Sequence, residues 1–299
     1  AAVTLVAAMG AARRRRLWSG RVRLDAVLTR QLLHAALPFA ALAGLGAVYR
    51  RLDLLVLSLM GTGAETAAYD LALRVIEAVG YLGAVVSAPA LFIFSRRLGS
   101  GDRDGAQRAF TTAARAVYLV GLPAAAGLVA LHQPLVRTFF GRDYAAAAVP
   151  LAILGGQLWL DFVGGLQGAL VIAGDNLRRA VRLELMVMSL LVVLDVVLIA
   201  RWGGRGAAAA IALFQVVNVA VFRRFNRTTS GVTTPLPPAR FVLAAAACGL
   251  AAWPAGQVAL PFGIAAGGVA YATVLLATRA VTSTDVDVIR RLTGSDARA

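Results

Sequence analysis

Apolar runs of about 18 residues or more recur along the whole chain, separated by short polar segments. Crossing a hydrocarbon core takes about 20 residues at a rise of about 1.5 Å each, so each run is long enough to span. The pattern predicts eight complete membrane helices, at 35–60, 67–95, 110–131, 145–173, 183–200, 206–222, 241–258 and 261–279. The expected fold class is therefore an all-α integral membrane bundle with several spans. The runs are continuous and rich in Ala and Leu, whereas barrel strands alternate apolar and polar positions, so a transmembrane β-barrel is excluded.

The connections between these runs alternate in charge. Arg-rich segments fall at 11–30, 96–108, 175–182, 223–240 and after 279, while those near 61–66, 132–144, 201–205 and 259–260 carry few charges. By the positive-inside rule the basic connections and the C-terminus are cytoplasmic. The chain opens with about ten apolar residues followed by Arg13 to Arg16, the reverse of the charge order in a secretory signal. Residues 1–12 are read as the remnant of a truncated helix, with further sequence expected upstream, and 13–34 as a basic loop. A six-helix lobe at 35–222 follows, then a Pro- and Thr-rich linker at 223–240, a hairpin at 241–279 without a charged residue up to Arg279, and a tail at 280–299. The tail, starting Thr282-Ser283-Thr284-Asp285, reads as a capped amphipathic helix at the inner membrane surface. Asp285-Val-Asp287 and Asp102-Arg-Asp104 are read as helix-start acids.

Composition narrows the function. Hydrophobic residues make up 59% of the chain and the mean hydropathy is +0.74, beyond the range of ordinary soluble domains. The net charge of +15 comes entirely from arginine, placed mostly between apolar runs, so no soluble basic face remains for nucleic acid and anionic lipid headgroups are the simpler partner. Cys248 is the single cysteine, and His34 and His132 lack ligand spacing. No metal or cofactor site is expected. Nor is an enzyme, since no nucleophile and base pair, phosphate-cradling glycine loop or sizeable outer loop appears.

Charges inside the spans are the informative positions, because each costs about 2.5 to 3.5 kcal/mol at the bilayer centre unless it meets a partner or a wet cavity. Asp70, Arg74, Glu77 and Tyr81 fall within roughly 60° of arc on one helix, so that stripe either neutralises itself against a neighbouring helix or lines a hydrated cavity. Tyr49-Arg50-Arg51-Leu52-Asp53 on the preceding helix reaches a similar depth, in the outer half. Arg50 and Asp53 are spaced to pair locally. Arg51 lacks a local acid, which makes it an anion ligand or a side chain that snorkels outward. Arg115 has the same two readings at the inner surface. Asp161, on a face with Gln157, Gly164 and Gly168, belongs to a packed interface or to the cavity. Asp195 needs a partner from another helix, and Gln215 and Asn218 serve as packing glue or as site residues.

Several motifs in order resemble the polysaccharide-lipid (Wzx-like) flippases of the multidrug/oligosaccharidyl-lipid/polysaccharide (MOP) exporter superfamily. They are Leu37-Pro38 with the 49–53 segment; Tyr69, Ala72, Arg74 and Glu77 with Ala88-Pro89 and Ser95-Arg96; Phe140-Gly141-Arg142-Asp143-Tyr144; Ala173-Gly174-Asp175-Asn176; and Gly203-Gly204-Arg205-Gly206-Ala207. The resemblance implies the C-terminal part of a longer chain, with the six-helix block as the second lobe of a MATE-like fold and the last hairpin as an extra pair. It also implies a bacterial inner-membrane protein that flips undecaprenyl-pyrophosphate-linked oligosaccharide by alternating access. Arg51, Arg74 and then Arg115 are the expected pyrophosphate ligands, with Arg50, Asp53, Asp70, Glu77, Tyr81, Asp161 and Asp195 as further cavity residues. The implied partners are the lipid-linked glycan, membrane lipids, a coupling ion (H+ or Na+) and polysaccharide polymerase or export proteins. A lipid II flippase, a drug antiporter of the same superfamily and, in a different class, a membrane glycan ligase or polymerase stay open.

Overall fold

The computed structural model describes residues 26–174 and 176–280, and among them every regular element is helical. In chain order these are α1 (Ala26–Met60), α2 (Gly63–Gly99), α3 (Arg103–Phe140), a short 3-10 helix (Arg142–Ala147), α4 (Ala148–Ala173), α5 (Leu177–Thr229), α6 (Ala239–Val258) and α7 (Leu260–Ala277). The expected helix remnant, most of the basic loop after it and the amphipathic tail lie outside the described residues. The chain divides into two compact units, Ala1–Ala41 and Leu42–Ala299, with the break inside α1. In the first unit the described part is the opening of α1, where helix already begins at Ala26, inside the segment expected as loop. All that follows concerns the second unit.

Among the described residues six helical segments are long and apolar enough to cross a membrane: Gly63–Gly99, Arg103–Phe140, Arg142–Ala173, Leu177–Thr229, Ala239–Val258 and Leu260–Ala277. The expected first span lies within α1, which is not among the six and carries Arg50, Arg51 and Asp53 close together. Large apolar side chains such as Leu59, Phe92, Val193, Leu250 and Leu276 are exposed, as a bundle bathed in lipid requires.

The 53 residues of α5 would extend about 80 Å if straight, more than twice the hydrocarbon thickness. Instead the helix breaks at Gly203, with φ 54° and ψ −133°. A Cβ on Gly206 would lie 2.0 Å from the carbonyl oxygen of Leu198, a residue about 12 Å away in a straight helix, so the chain folds back on itself. The two halves, α5a before Gly203 and α5b after it, are the spans expected at 183–200 and 206–222. Gly203→Val would combine a left-handed φ with a Cβ only 2.6 Å from Glu65 Oε1. It is expected to cost about 1 to 3 kcal/mol, read as a lower unfolding temperature in detergent, and Glu65→Ala in the same chain should restore little because the backbone strain persists.

Local chemistry fixes the other turns. Thr62 caps α2 in a reciprocal box, its hydroxyl accepting from the Glu65 amide at 3.3 Å while its own amide donates to Glu65 Oε2 at 3.1 Å. Asp102 caps α3, accepting from the Gly105 amide at 2.8 Å and from Arg97 at 2.8 Å, so Asp102-Arg-Asp104 is a helix start. That amide and the arginine hold the Asp102 carboxyl below the usual carboxylate range.

Successive helices run in opposite directions, and the turns sort to two ends. At one end Glu65, Ala146, Pro150 and Gly203 come together. At the other, Arg103 approaches Gly231, Gly174 approaches Ser230 and Arg240 donates to the Thr278 carbonyl at 3.0 Å. The Arg-rich connections at 96–108, 223–240 and 279 thus share one end. There the segment after α5 is strapped across the bundle. Gln107 exchanges two hydrogen bonds with the Thr233 backbone at 3.0 and 2.7 Å, Tyr118 donates to the Pro235 carbonyl at 2.7 Å, and Gln167 donates to Thr234 at 2.9 Å. The α6–α7 hairpin then packs on α3, with Tyr271 donating to the Leu119 carbonyl at 2.8 Å.

Candidate functional site

The stripe on α2 meets α1 directly. Arg51 reaches Asp70 at 3.5 Å through Nη1 and Glu77 at 3.3 Å through Nη2, while Arg74 donates to the other oxygen of Asp70 at 2.8 Å. Two guanidinium groups and two carboxylates thus form one neutral ladder across two helices. Sequence spacing left Arg51 without an acid, and the neighbouring helix supplies two. The Arg51 and Arg74 side chains are 53% and 74% exposed, so these pairs contribute little to stability and the cluster stays accessible. Tyr81, one turn beyond Glu77, is exposed. The Arg50 side chain lies outside the described positions.

Glu77 also lines an open cavity of about 640 Å³ bounded by α2, α4 and α5b, with Gly46 of α1 at its edge. Asp161, Gln157, Gln215 and Asn218 are on its wall. Gln157 donates to Asp161 at 2.8 Å, and Gln215 donates to the Leu160 carbonyl at 3.2 Å. Asp161 is therefore both packed and facing open space, so its two sequence readings are compatible. The cavity exists because glycines occupy the positions where side chains would fill it. A Cβ at Gly80 or Gly168 would meet nothing within 4 Å. At Gly83 the glycine has a different task, letting the Phe162 ring approach to 2.5 Å of where a Cβ would stand.

Arg115 sits elsewhere. Its guanidinium lies 5.5 Å from the centre of the Phe241 ring and donates to the Ala280 carbonyl at 3.2 Å, so the structure places it at the junction with α6 and the tail, away from the cavity lining. Sequence offered only its depth, which does not fix the helix face it meets.

Asp53 and Asp195 form a second feature. Both are fully buried, Asp53 accepts a hydrogen bond from the Tyr69 hydroxyl, and the two carboxyls lie within electrostatic reach of each other. Neither oxygen of Asp195 has a hydrogen-bond donor, nor does Asp53 Oδ1. The group from another helix that acts on Asp195 is thus a second acid. A signal for this pairing was present, because each residue stands eight positions before a glycine turn at the same end, Gly61 or Gly203. No cluster of three or more metal-ligating side chains occurs among the described residues.

No family model matches the chain. It is 23% identical over 180 residues to a protein of Haloferax volcanii described as a "probable low-salt glycan biosynthesis flippase", Agl15, the match covering 60% of this chain and 38% of that one. Its structure is similar to lipid II flippase MurJ in an inward closed conformation, with a TM-score of 0.68 and 16% identity over 87% of this chain and 57% of that one. It is also similar to an outward-facing multidrug resistance MATE transporter of the MOP superfamily, at a TM-score of 0.59 and 17% identity over 81% and 63%. A Pyrococcus furiosus MOP transporter gives 0.58 and 18% over 80% and 61%. The chain spans 38% of the length of its curated relative and 57% of the length of MurJ. Its motifs, its curated relative and its structural neighbours agree, and the chain has the fold of the multidrug/oligosaccharidyl-lipid/polysaccharide exporter superfamily.

Proposed function

We propose that the full-length protein flips undecaprenyl-pyrophosphate-linked oligosaccharide across the bacterial inner membrane by alternating access, supplying cell-surface polysaccharide polymerases and exporters. The observation that carries this reading is the ladder of Arg51, Asp70, Arg74 and Glu77 opening onto a cavity at the depth of the apolar spans. Guanidinium groups match phosphate oxygens in a bidentate way, so an arriving pyrophosphate exchanges places with the carboxylates that hold Arg51 and Arg74 when the site is empty. The likeness to a glycan flippase agrees with this cargo. The Arg-rich end faces the cytoplasm, which puts the C-terminus there and brings the cargo in from the side of its synthesis. The Asp53 and Asp195 pair, buried with three carboxyl oxygens that accept no hydrogen bond, takes the coupling cation, either a proton or sodium. The reaction is transport without bond making.

The test is flipping of a fluorescent undecaprenyl-pyrophosphate-linked sugar by the full-length protein in liposomes under a sodium or proton gradient. Movement of this lipid at a rate well above protein-free liposomes is the expected result. Movement of lipid II alone would make the protein a peptidoglycan-precursor flippase, and export of a cationic dye alone would make it a drug antiporter.

A further inference from the structure

The geometry points to a sugar-hydroxyl subsite on the cavity wall, formed by the side-chain amides of Gln157 and Asn218 beside Asp161 and separate from the arginine ladder. It rests on the reading that the cavity carries a lipid-linked glycan, and it assigns the sugar and pyrophosphate parts of that cargo to different residues.

The first support is unmet hydrogen-bonding capacity. Gln157 Oε1 and Asn218 Oδ1 belong to cavity-lining residues, are shut off from solvent and have no donor in the protein. Buried acceptors in this condition are rare because they give up hydration and gain nothing. The Gln157 amide cannot remedy this by turning over, since its nitrogen donates to Asp161 at 2.8 Å and the reverse orientation would set an oxygen against a carboxylate. Gln215 differs, its nitrogen being committed to the Leu160 carbonyl.

The second support is the chemistry of the missing donor. Of the three parts of a lipid-linked glycan, an ionised pyrophosphate offers only acceptors and a polyprenyl tail offers neither donors nor acceptors. Sugars alone bring O–H and N–H groups. Small rotations of terminal amide torsions, which are soft, turn both oxygens toward such donors.

The third support is room. Gly80 and Gly168 leave open space in the same cavity that the two amides line, and its volume of about 640 Å³ lies in the usual range for a small-molecule site. Glu77 joins the two regions, since it touches the cavity and binds Arg51 at 3.3 Å.

The experiment measures binding of undecaprenyl pyrophosphate, bare or carrying one hexose or N-acetylhexosamine, to the purified full-length protein. A sugar is expected to tighten binding about tenfold. Gln157→Leu and Asn218→Leu should each remove about threefold of that gain, within the range of one lost hydrogen bond, and leave bare-lipid binding unchanged. Asn218→Asp, which keeps an acceptor, should retain the gain, and Gly168→Leu, which fills open space, should abolish it. Arg51→Ala should weaken bare and sugared lipid alike. Equal binding of bare and sugared lipids by the unaltered protein overturns the subsite while leaving the flippase reading intact. Equal weakening of both lipids by the leucine variants overturns it too, since the amides would then be structural. Failure to bind any of these lipids overturns both.

Discussion

Arg51→Ala in the full-length protein is expected to cut flipping of the lipid-linked glycan by about a hundredfold while leaving membrane insertion and yield at normal levels. With the cargo in place the guanidinium and phosphate form a desolvated charge pair, and truncating one partner of such a pair typically costs about 2 to 5 kcal/mol, of which a hundredfold loss is the lower part. The loss acts twice. The guanidinium that meets phosphate is gone, and Asp70 and Glu77 lose the base that spans them, so the ladder turns net negative toward an anionic cargo. Arg74→Ala is expected to abolish export in the same way, because it leaves Arg51 alone against two acids. Arg51→Lys, which keeps charge without the fork, should fall between, at about a tenfold loss. Rates are read in proteoliposomes at matched protein content. Normal flipping by either alanine variant would remove the arginine ladder from the transport path.

Asp195→Asn is expected to uncouple the protein from its ion gradient. In the unaltered protein a sodium or proton gradient should accelerate flipping, and in the variant the rate should stay at its gradient-free level. The reason is that both Asp195 oxygens are buried without donors and the neighbouring charge is Asp53, so a cation is what makes this arrangement tolerable at hydrocarbon depth. If the ion is sodium, its binding should also raise the unfolding temperature of the unaltered protein over that in potassium, by an amount that grows with concentration, and the variant should lose this response. Asp53→Asn should behave similarly, since Asp53 lies within electrostatic reach of Asp195 and is held by the Tyr69 hydroxyl. A variant that keeps the full gradient response would show that coupling resides elsewhere in the protein.

The resemblance drawn from short motifs agrees with the fold, and the reason is local. Gly203 had to be glycine to reverse the chain, Thr62 and Asp102 had to be capping residues, and such requirements leave marks in a few consecutive positions. The arrangement of Arg51 left no such mark. Its acids are on another helix, 19 and 26 residues further along, and its own neighbours on α1 say only that it faces away from Asp53. Arg115 shows the converse. It carried the same two readings as Arg51, anion ligand or snorkelling side chain, yet a ring on α6 and a carbonyl at residue 280 occupy it.

By itself the sequence determined the spans, their alternating direction, the basic end and the charged face of α2, because helical period and hydrophobic length are properties of consecutive residues. Only the tertiary structure decided which faces meet: Arg51 between Asp70 and Glu77, Asp53 within electrostatic reach of Asp195, and a cavity left open where glycines of α2 and α4 fail to fill it. The physical reason is that a helix fixes the height and angle of each side chain about its own axis, while its rotation against its neighbours is set by packing among residues far apart in the chain.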